Sequence, residues 1–387
     1  MRIAPFHPRF DEDALLDLRE RLARTRFPDD GADSDADLGM LSSQVRSLVA
    51  RWRQFDVRAL ERRMAAVPHF LAEDASGRIH FFHLRGRGPA PFPLVLAHGW
   101  PGSFLEMLEI APMLTDPASH GGDPADAFDV VVPSLPGYGF SEPAREPGTH
   151  PGPIAEAWAR LMEALGYGRY GAQGGDWGAS VATRLALQRP DRVAGIHLNY
   201  VPGSFAPYRG DGSPTLSAGE ERFLVERARW VEEEGAYGSV QRTRPRTLAH
   251  ALMDSPAGLL AWIGEKFLRW SDPAADAERI AGAILEHATL YWLTGTIGSS
   301  MRLYAEGRRA PLEFGAGERV GPPCGVARFP LEAPMPPREW AERAYDVVRW
   351  TEMPRGGHFA SLEEPALLAQ DAREFFRPLR GPRGPRS

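Results

Sequence analysis

Gly174-Gly175-Asp176-Trp177-Gly178 has the frame of a G-x-S-x-G nucleophile turn, with an acid where a serine usually stands. The glycines suit a sharp strand-to-helix turn, where backbone and helix crowd together and side chains do not fit. A carboxylate has an unperturbed pKa of about 3.9 and is ionised without help. It is a poor nucleophile for amides or esters, because attack would give an anhydride. It is a good one for displacing a leaving group at saturated carbon, which gives an alkyl ester of Asp176. An aspartate capping the following helix would leave the same local pattern, so the reading depends on what else the chain supplies.

Two further segments supply it. HGWPGS (98–103) follows an apolar strand pattern directly, and its small turn exposes backbone N–H groups, that of Trp100 foremost. With the N–H of Trp177, the residue after the nucleophile, it would make an oxyanion hole. GGHFASLEEP (356–365) places His358 on a Gly-Gly loop after the strand pattern YDVVRWTEM. The third member of a triad must be an acid after the preceding strand. CGVARFPLE offers Glu332 there; Glu313, Glu318 and Glu339 compete from less favourable positions. The chain order nucleophile, acid, histidine is that of α/β-hydrolases. With an aspartate nucleophile, His358 and Glu332 would activate water to hydrolyse the ester. Two leaving groups fit: a halide, held by weak N–H donors such as indoles, and an epoxide oxygen, which needs an acid such as a phenol. EEEGAYGSVQ (232–241) carries Tyr237 and SSMRLYAE (299–306) carries Tyr304, though a tyrosine taken alone is more often packing than catalysis. A serine esterase is the weaker reading, since Ser180 lies past the turn.

These residues need a scaffold. Strand patterns recur at 78–84, 93–100, 129–135, 170–174 and 195–201, interleaved with helices at about 153–165 and 179–190, which predicts a mostly parallel, helix-covered sheet. The alternation stops between about 203 and 310, where the chain turns helix-rich and polar-aromatic, and resumes with strands at 324–329 and 345–353 and a helix at about 364–376. The expected class is α/β: an α/β-hydrolase fold interrupted by a helical lid. The predicted organisation is an N-terminal helical arm over 1–75, core over 76–202, lid over 203–312 and core again over 313–387. Within the arm, helices are expected over 11–26 and 41–64, with an acidic loop at 29–37. PLEFGAGERVGPP (311–323) reads as the lid-to-core linker and GPRGPRS as a disordered tail. Lid residues Trp262, Phe267, Trp292 and Leu303 are expected to shape the substrate pocket.

The chain has 387 residues, 43% of them hydrophobic, enough for a sizeable core, and its formal charge of −6 argues against a nucleic-acid partner. Cys324 is the single cysteine, so no intrachain disulfide is expected. There is no signal-peptide pattern and no membrane span, so a cytoplasmic protein without an anchor is the default. Neither a metal nor an organic cofactor is expected, for want of HExxH, a cysteine cluster or a GxGxxG after a strand. The expected partners are a small molecule and water, with a homodimer as the prior for assembly.

HGWPGSF, PSLPGYGFS, GGDWG, MDSPAGLLAWIGEKFLRWSD (253–272), SMRLYAE and GGHFASLEEPALLAQD together resemble the microsomal-type, or juvenile-hormone-type, epoxide hydrolases, with LRERLARTRFPDD (18–30) similar to that family's arm. The resemblance spans almost the whole chain. It implies Asp176 as nucleophile, His358 as base, Glu332 as its acid partner, Tyr304 and Tyr237 as activators of the epoxide oxygen, and the backbone of Trp100 and Trp177 as oxyanion hole. It also implies an epoxide substrate, from a range that runs from xenobiotics through lipids to enediyne-type intermediates. One departure stands in the arm, where DDGADSDADLGM replaces a Trp/Gly-rich stretch. The alternatives are a haloalkane or haloacid dehalogenase built on the same triad, and a non-catalytic binding protein of this fold. An enzyme of either catalytic kind should lose activity at low pH as His358 is protonated, and an epoxide hydrolase also at high pH as the tyrosines ionise.

Overall fold

A computed structural model describes residues 1–29 and 38–380. Most of the acidic stretch 29–37 and the tail GPRGPRS lie outside the described residues. Nine strands form one sheet: β1 (Arg2–Phe6), β2 (His69–Asp74), β3 (Gly77–Leu84), β4 (Phe92–Ala97), β5 (Phe128–Pro133), β6 (Tyr170–Gly174), β7 (Val193–Leu198), β8 (Val320–Arg328) and β9 (Tyr345–Glu352), in the order β1-β2-β3-β5-β4-β6-β7-β8-β9. From β5 to β9 every pairing is parallel, while β1, β2, β3 and β5 pair antiparallel. Strands β5, β6 and β7 are buried at every position, which is why they read as continuous apolar runs. Alternate residues of β4 feed opposite cores: Val95 and Ala97 one, Leu94 and Leu96 the other.

The helices are α1 (Glu12–Ala23), α2 (Ser42–Arg53), α3 (Val57–Ala65), α4 (Met107–Thr115), α5 (Pro151–Ala164), α6 (Asp176–Gln188), α7 (Ala218–Glu234), α8 (Ala236–Thr243), α9 (Pro245–Asp254), α10 (Pro256–Trp270), α11 (Ala277–Thr294), α12 (Ile297–Gly307), α13 (Arg338–Glu342), α14 (Ala360–Glu363) and α15 (Pro365–Phe376). Helices α5 and α6 bury Trp158, Leu161, Val181 and Leu185 in one core; α4 and α15 bury Ile110, Leu114, Phe375 and Phe376 in the other. Helices α7 to α12 form a continuous helical insertion between β7 and β8. The arm's helices grip it: Arg21 Nη1 donates to Asp254 O at 2.9 Å, and Trp52 Nε1 to Thr289 Oγ1 at 2.8 Å.

Three features depart from the sequence reading. The arm supplies two strands, β1 and β2, which extend the sheet at its antiparallel edge. The helix expected over 41–64 is two helices, split where Asp56 caps α3 by accepting from Ala59 N at 2.9 Å. β8 begins at Val320, inside the stretch read as linker. Its ladder to β9 shifts register between Val320 and Pro323, an irregularity that accommodates prolines without ladder donors. No helix among the described residues is long and apolar enough to cross a membrane.

Candidate active site

Asp176 follows the C-terminal end of β6, and the segments that meet it follow the C-terminal ends of β4, β8 and β9. That end of a parallel sheet is where loops from successive strands converge. Asp176 has φ +46°, the only non-glycine residue at positive φ among the described residues. Such a backbone costs about 1–3 kcal/mol and persists only where the surroundings enforce it. The enforcement is visible: a Cβ on Gly178 would lie 2.1 Å from Ala97 O, and one on Gly99 would lie 2.2 Å from Asp176 Oδ1. Gly175, not Asp176, is the N-cap of α6, so the carboxylate is not spent on capping. Its Oδ1 accepts from Trp100 N at 2.8 Å, and the Trp177 N–H acts on the same carboxylate.

His358 Nδ1 and Glu332 Oε1 are 2.6 Å apart, and the Glu332 side chain is fully buried. Among the competing acids, Glu339 instead accepts from Ser217 Oγ at 2.9 Å and Glu318 from Gly315 N at 2.7 Å. His358 N donates to Trp270 O at 2.9 Å, which ties the histidine loop to α10 of the insertion. Its Nε2 stands 3.8 Å from Asp176 Oδ2, beyond a direct hydrogen bond and within reach of one bridging atom. Burial pushes the Asp176 carboxyl up from its ordinary value, opposed by the His358 charge and the two N–H groups. Burial pulls His358 down, but the charge and hydrogen bond of Glu332, then the charges of Asp176 and Glu106, outweigh it, and the imidazole is pushed up to about 9.

The two phenols close the other side. The Trp100 and Tyr237 rings stack at 5.3 Å and 8°, the Trp177 and Tyr304 rings meet edge-on at 4.9 Å, and Tyr237 and Tyr304 are 5.8 Å apart. The Tyr304 hydroxyl is buried, and a side-chain hydrogen bond with the Tyr237 phenol acts on both groups. Burial, foremost, drives both phenols well above the ordinary value for tyrosine, and the Asp176 charge adds to it. They therefore stay protonated far into the alkaline range, so the alkaline loss of activity expected from the sequence moves beyond ordinary tyrosine pKa values.

A cavity of ≈ 360 Å³ reaches Asp176, Trp177, Tyr237 and Tyr304. Its apolar wall is Phe205, Phe223, Trp230, Leu312 and Trp340. Trp262, Phe267, Trp292 and Leu303 do not line it. Phe267 stacks on Phe359 at 4.2 Å, Trp262 Nε1 donates to Gln241 Oε1 at 3.3 Å, Trp292 faces Arg21 of the arm, and Leu303 is buried in the core. They sit on helix faces turned toward other partners.

Glu106 was not singled out by the sequence. It is buried, accepts from Ser103 N at 3.1 Å, and is pushed up to about 7 by burial, with His358 opposing. With Ser103 it forms an S-x-x-E capping box directly after HGWPG, a signal that could have found it. Together with Gln173, Asn199 and Ser361 it borders a second cavity of ≈ 20 Å³ that touches both Asp176 and His358. That is room for about one water among polar walls.

Comparison with known proteins gives the family. Residues 3–107 match the family described as epoxide hydrolase N terminus, and residues 93–209 the alpha/beta hydrolase fold family. A Stigmatella aurantiaca protein provisionally named an epoxide hydrolase is 42% identical over 98% of this chain and 86% of its own length. Epoxide hydrolase 1 of Oryctolagus cuniculus is 34% identical over 96% of this chain and 88% of its own. The structure of Aspergillus niger epoxide hydrolase superposes with a TM-score of 0.84 at 31% identity, covering 98% of this chain and 97% of that one.

Proposed function

The chain belongs to the epoxide hydrolase family and is an epoxide hydrolase, and on that premise we propose that it forms a vicinal diol through an alkyl ester on Asp176. The observation that carries this reading is the position of one carboxylate, held by the Trp100 N–H, 3.8 Å from the His358 imidazole and in one cavity with Tyr237 and Tyr304.

In the first step an Asp176 oxygen attacks an epoxide carbon, the ring C–O bond breaks, and Tyr304 or Tyr237 gives its proton to the departing alkoxide. In the second, His358 takes a proton from water as the hydroxyl adds to the ester carbon, and the Trp100 and Trp177 N–H groups hold the oxyanion. Collapse releases the diol and restores the carboxylate. Of the water's two protons, one ends on the diol and one on the phenolate. Glu332 orients the imidazole and stabilises its charge, and the small cavity beside Glu106 is the approach proposed for the water. Esterification also removes the Asp176 charge, one of the causes that hold His358 high. The imidazole thus becomes more readily neutral, and hence a base, at the stage that needs one. A cytoplasmic location belongs to the same proposal, in keeping with a lone, buried thiol at Cys324.

A single turnover in heavy-oxygen water, with enzyme in excess, tests the route. The label is expected in Asp176 and absent from the first equivalent of diol; label in that first diol would mean direct attack by water and would sink the ester.

The pH dependence should separate the steps. Ester formation needs ionised Asp176, so its rate falls on the acid side with an inflection above that of an ordinary aspartate. Ester hydrolysis needs neutral His358, so its rate rises with pH through an inflection no higher than about 9. No alkaline fall is expected until well above about 10, the ordinary tyrosine value. Rapid-quench measurement of both steps checks this, and a hydrolysis rate independent of pH would remove the general base.

A further inference from the structure

We propose that the preferred substrate is an epoxide with an anionic terminus on an apolar spacer, the anion being held by Arg184, Arg227, Arg242 and Arg308, which line the cavity that contains Asp176. The inference rests on the hydrolase reading above and deepens it.

All four arginines line that cavity, and Asp176 is the only acid among its described lining residues. None of the four forms an ion pair among the described residues. Arg184 donates to Pro311 O at 2.8 Å and more weakly to Ala310 O at 3.4 Å, and Arg242 to Ser239 Oγ at 3.2 Å. Elsewhere in this acidic chain arginine commonly meets a carboxylate: Arg51 meets Glu278 at 2.7 Å, Arg160 meets Asp74 at 3.0 Å, and Arg338 meets Glu342 at 2.7 Å. Four uncompensated guanidinium groups around one opening therefore go against the protein's net charge of −6. A low-dielectric channel with one sign of charge at its mouth focuses the field on an incoming anion. Guanidinium is suited to planar oxyanions because its N–H fork matches their geometry.

The helices set the span. Asp176, Ser180 and Arg184 follow one another at four-residue intervals on α6 and all line the cavity. Eight residues of helix separate nucleophile from guanidinium-bearing backbone by about 12 Å. α12 repeats the arrangement, with Tyr304 inside the helix and Arg308 at its C-cap, and α8 carries Tyr237 near its start and Arg242 near its end. Arg242 and Arg308 are exposed, while Arg184 and Arg227 are half-buried. The Arg184 backbone thus stands about 12 Å along the helix from Asp176, and two of the four guanidinium groups are open to solvent. The same cavity is lined by Phe205, Phe223 and Trp230, a wall for a hydrocarbon spacer. The Asp176 charge disfavours the reverse orientation, which would place the anion beside the nucleophile.

The experiment has a binding arm and a turnover arm. In the first, undecanoate, decyl phosphate and methyl undecanoate are titrated against the wild-type enzyme by tryptophan fluorescence. Either anion is expected to bind at least tenfold more tightly than the ester, and added salt should weaken the anions alone. In the second, ω-epoxyundecanoate and its methyl ester, whose extended length matches the span, are compared by kcat/KM. The acid should be favoured at least tenfold, and in an Arg227→Gln/Arg308→Gln variant that ratio should fall toward one, mainly through KM for the acid. Equal binding of anions and ester, or an acid-to-ester ratio near one in the wild type, overturns the proposal. Anion binding with no turnover of any epoxide, styrene oxide included, would leave the anion site standing and bring down the hydrolase reading instead.

Discussion

A His358→Gln variant is expected to consume one equivalent of epoxide and then stop. Attack by Asp176 requires no base, because the carboxylate is the nucleophile and the proton for the alkoxide comes from a phenol. Hydrolysis of the ester does require one, and His358 is the imidazole paired with Asp176 among the described residues. His98, which also borders the small cavity, is engaged with the Leu135 N–H at 3.2 Å and is pulled down to about 4 by burial. General-base catalysis contributes about 10²–10⁴ in rate, so the ester should persist at least about a hundredfold longer than in the wild type. Glutamine keeps a polar group opposite Glu332 and leaves the backbone bond from residue 358 to Trp270 O intact, which limits collateral damage. A second effect follows from the electrostatics. The His358 charge lowers the Asp176 pKa, so its loss should move the acid limb of ester formation to higher pH. Intact-mass measurement after mixing should show one added epoxide mass. Undiminished steady turnover without a mass adduct would mean that another group activates the water.

The Tyr237→Phe/Tyr304→Phe double variant is expected to lose at least about a thousandfold in the rate of ester formation, with the ester once formed decaying at nearly the wild-type rate. The alkoxide that leaves the ring is a strong base in a buried site, and removing a single preorganised donor from a developing oxyanion costs about 10²–10³. Each single variant should lose less than the pair, since both phenols face one cavity and either can serve. Tyr304→Phe carries a further signature. The Tyr304 hydroxyl bonds the Tyr237 phenol, an interaction worth about 0.5–1.5 kcal/mol, so this variant should melt close to the wild type while reacting more slowly. A stable enzyme with slower chemistry would mark Tyr304 as a group kept for the substrate oxygen. Unchanged ester formation in the double variant, measured by rapid quench, would reassign the proton donor.

The order Asp176, Glu332, His358 and the turn HGWPGS were legible because each follows directly from a strand of the parallel sheet. β4 and β6 are apolar or buried along nearly their whole length, and the glycines that follow them announce close turns, while β8 and β9 were marked by β-branched and aromatic residues. What each loop presents is then given within the next two to six residues, from Asp176 after β6 to His358 after β9, with no need to know the rest of the fold. β1 and β2 were not legible for the converse reason. RIAPF is short, alternates little and contains a proline, and it becomes a strand only because His69–Asp74 lies beside it, from Phe6↔His69 to Arg2↔Glu73. The two partners are far apart in the chain, and nothing local in either names the other.

The cavity wall shows the same limit more sharply. Helices α10 and α11 carry aromatic residues on several faces, and Trp262, Phe267 and Trp292 looked as suited to a pocket as Trp230 or Phe223. Periodicity tells which residues of one helix share a face; it does not tell what that face meets. Rotation and docking of the insertion turned Phe267 toward Phe359 and left Trp230 on the cavity. Glu106 became part of the site only when its carboxylate, folded back over Gly102, came to rest beside the Asp176–His358 pair. Local chemistry at strand ends thus named the side chains that the fold brings together, because a turn positions its own residues. The shape and charge of the space around them came from the packing of distant segments, because burial and mutual field depend on every neighbour at once.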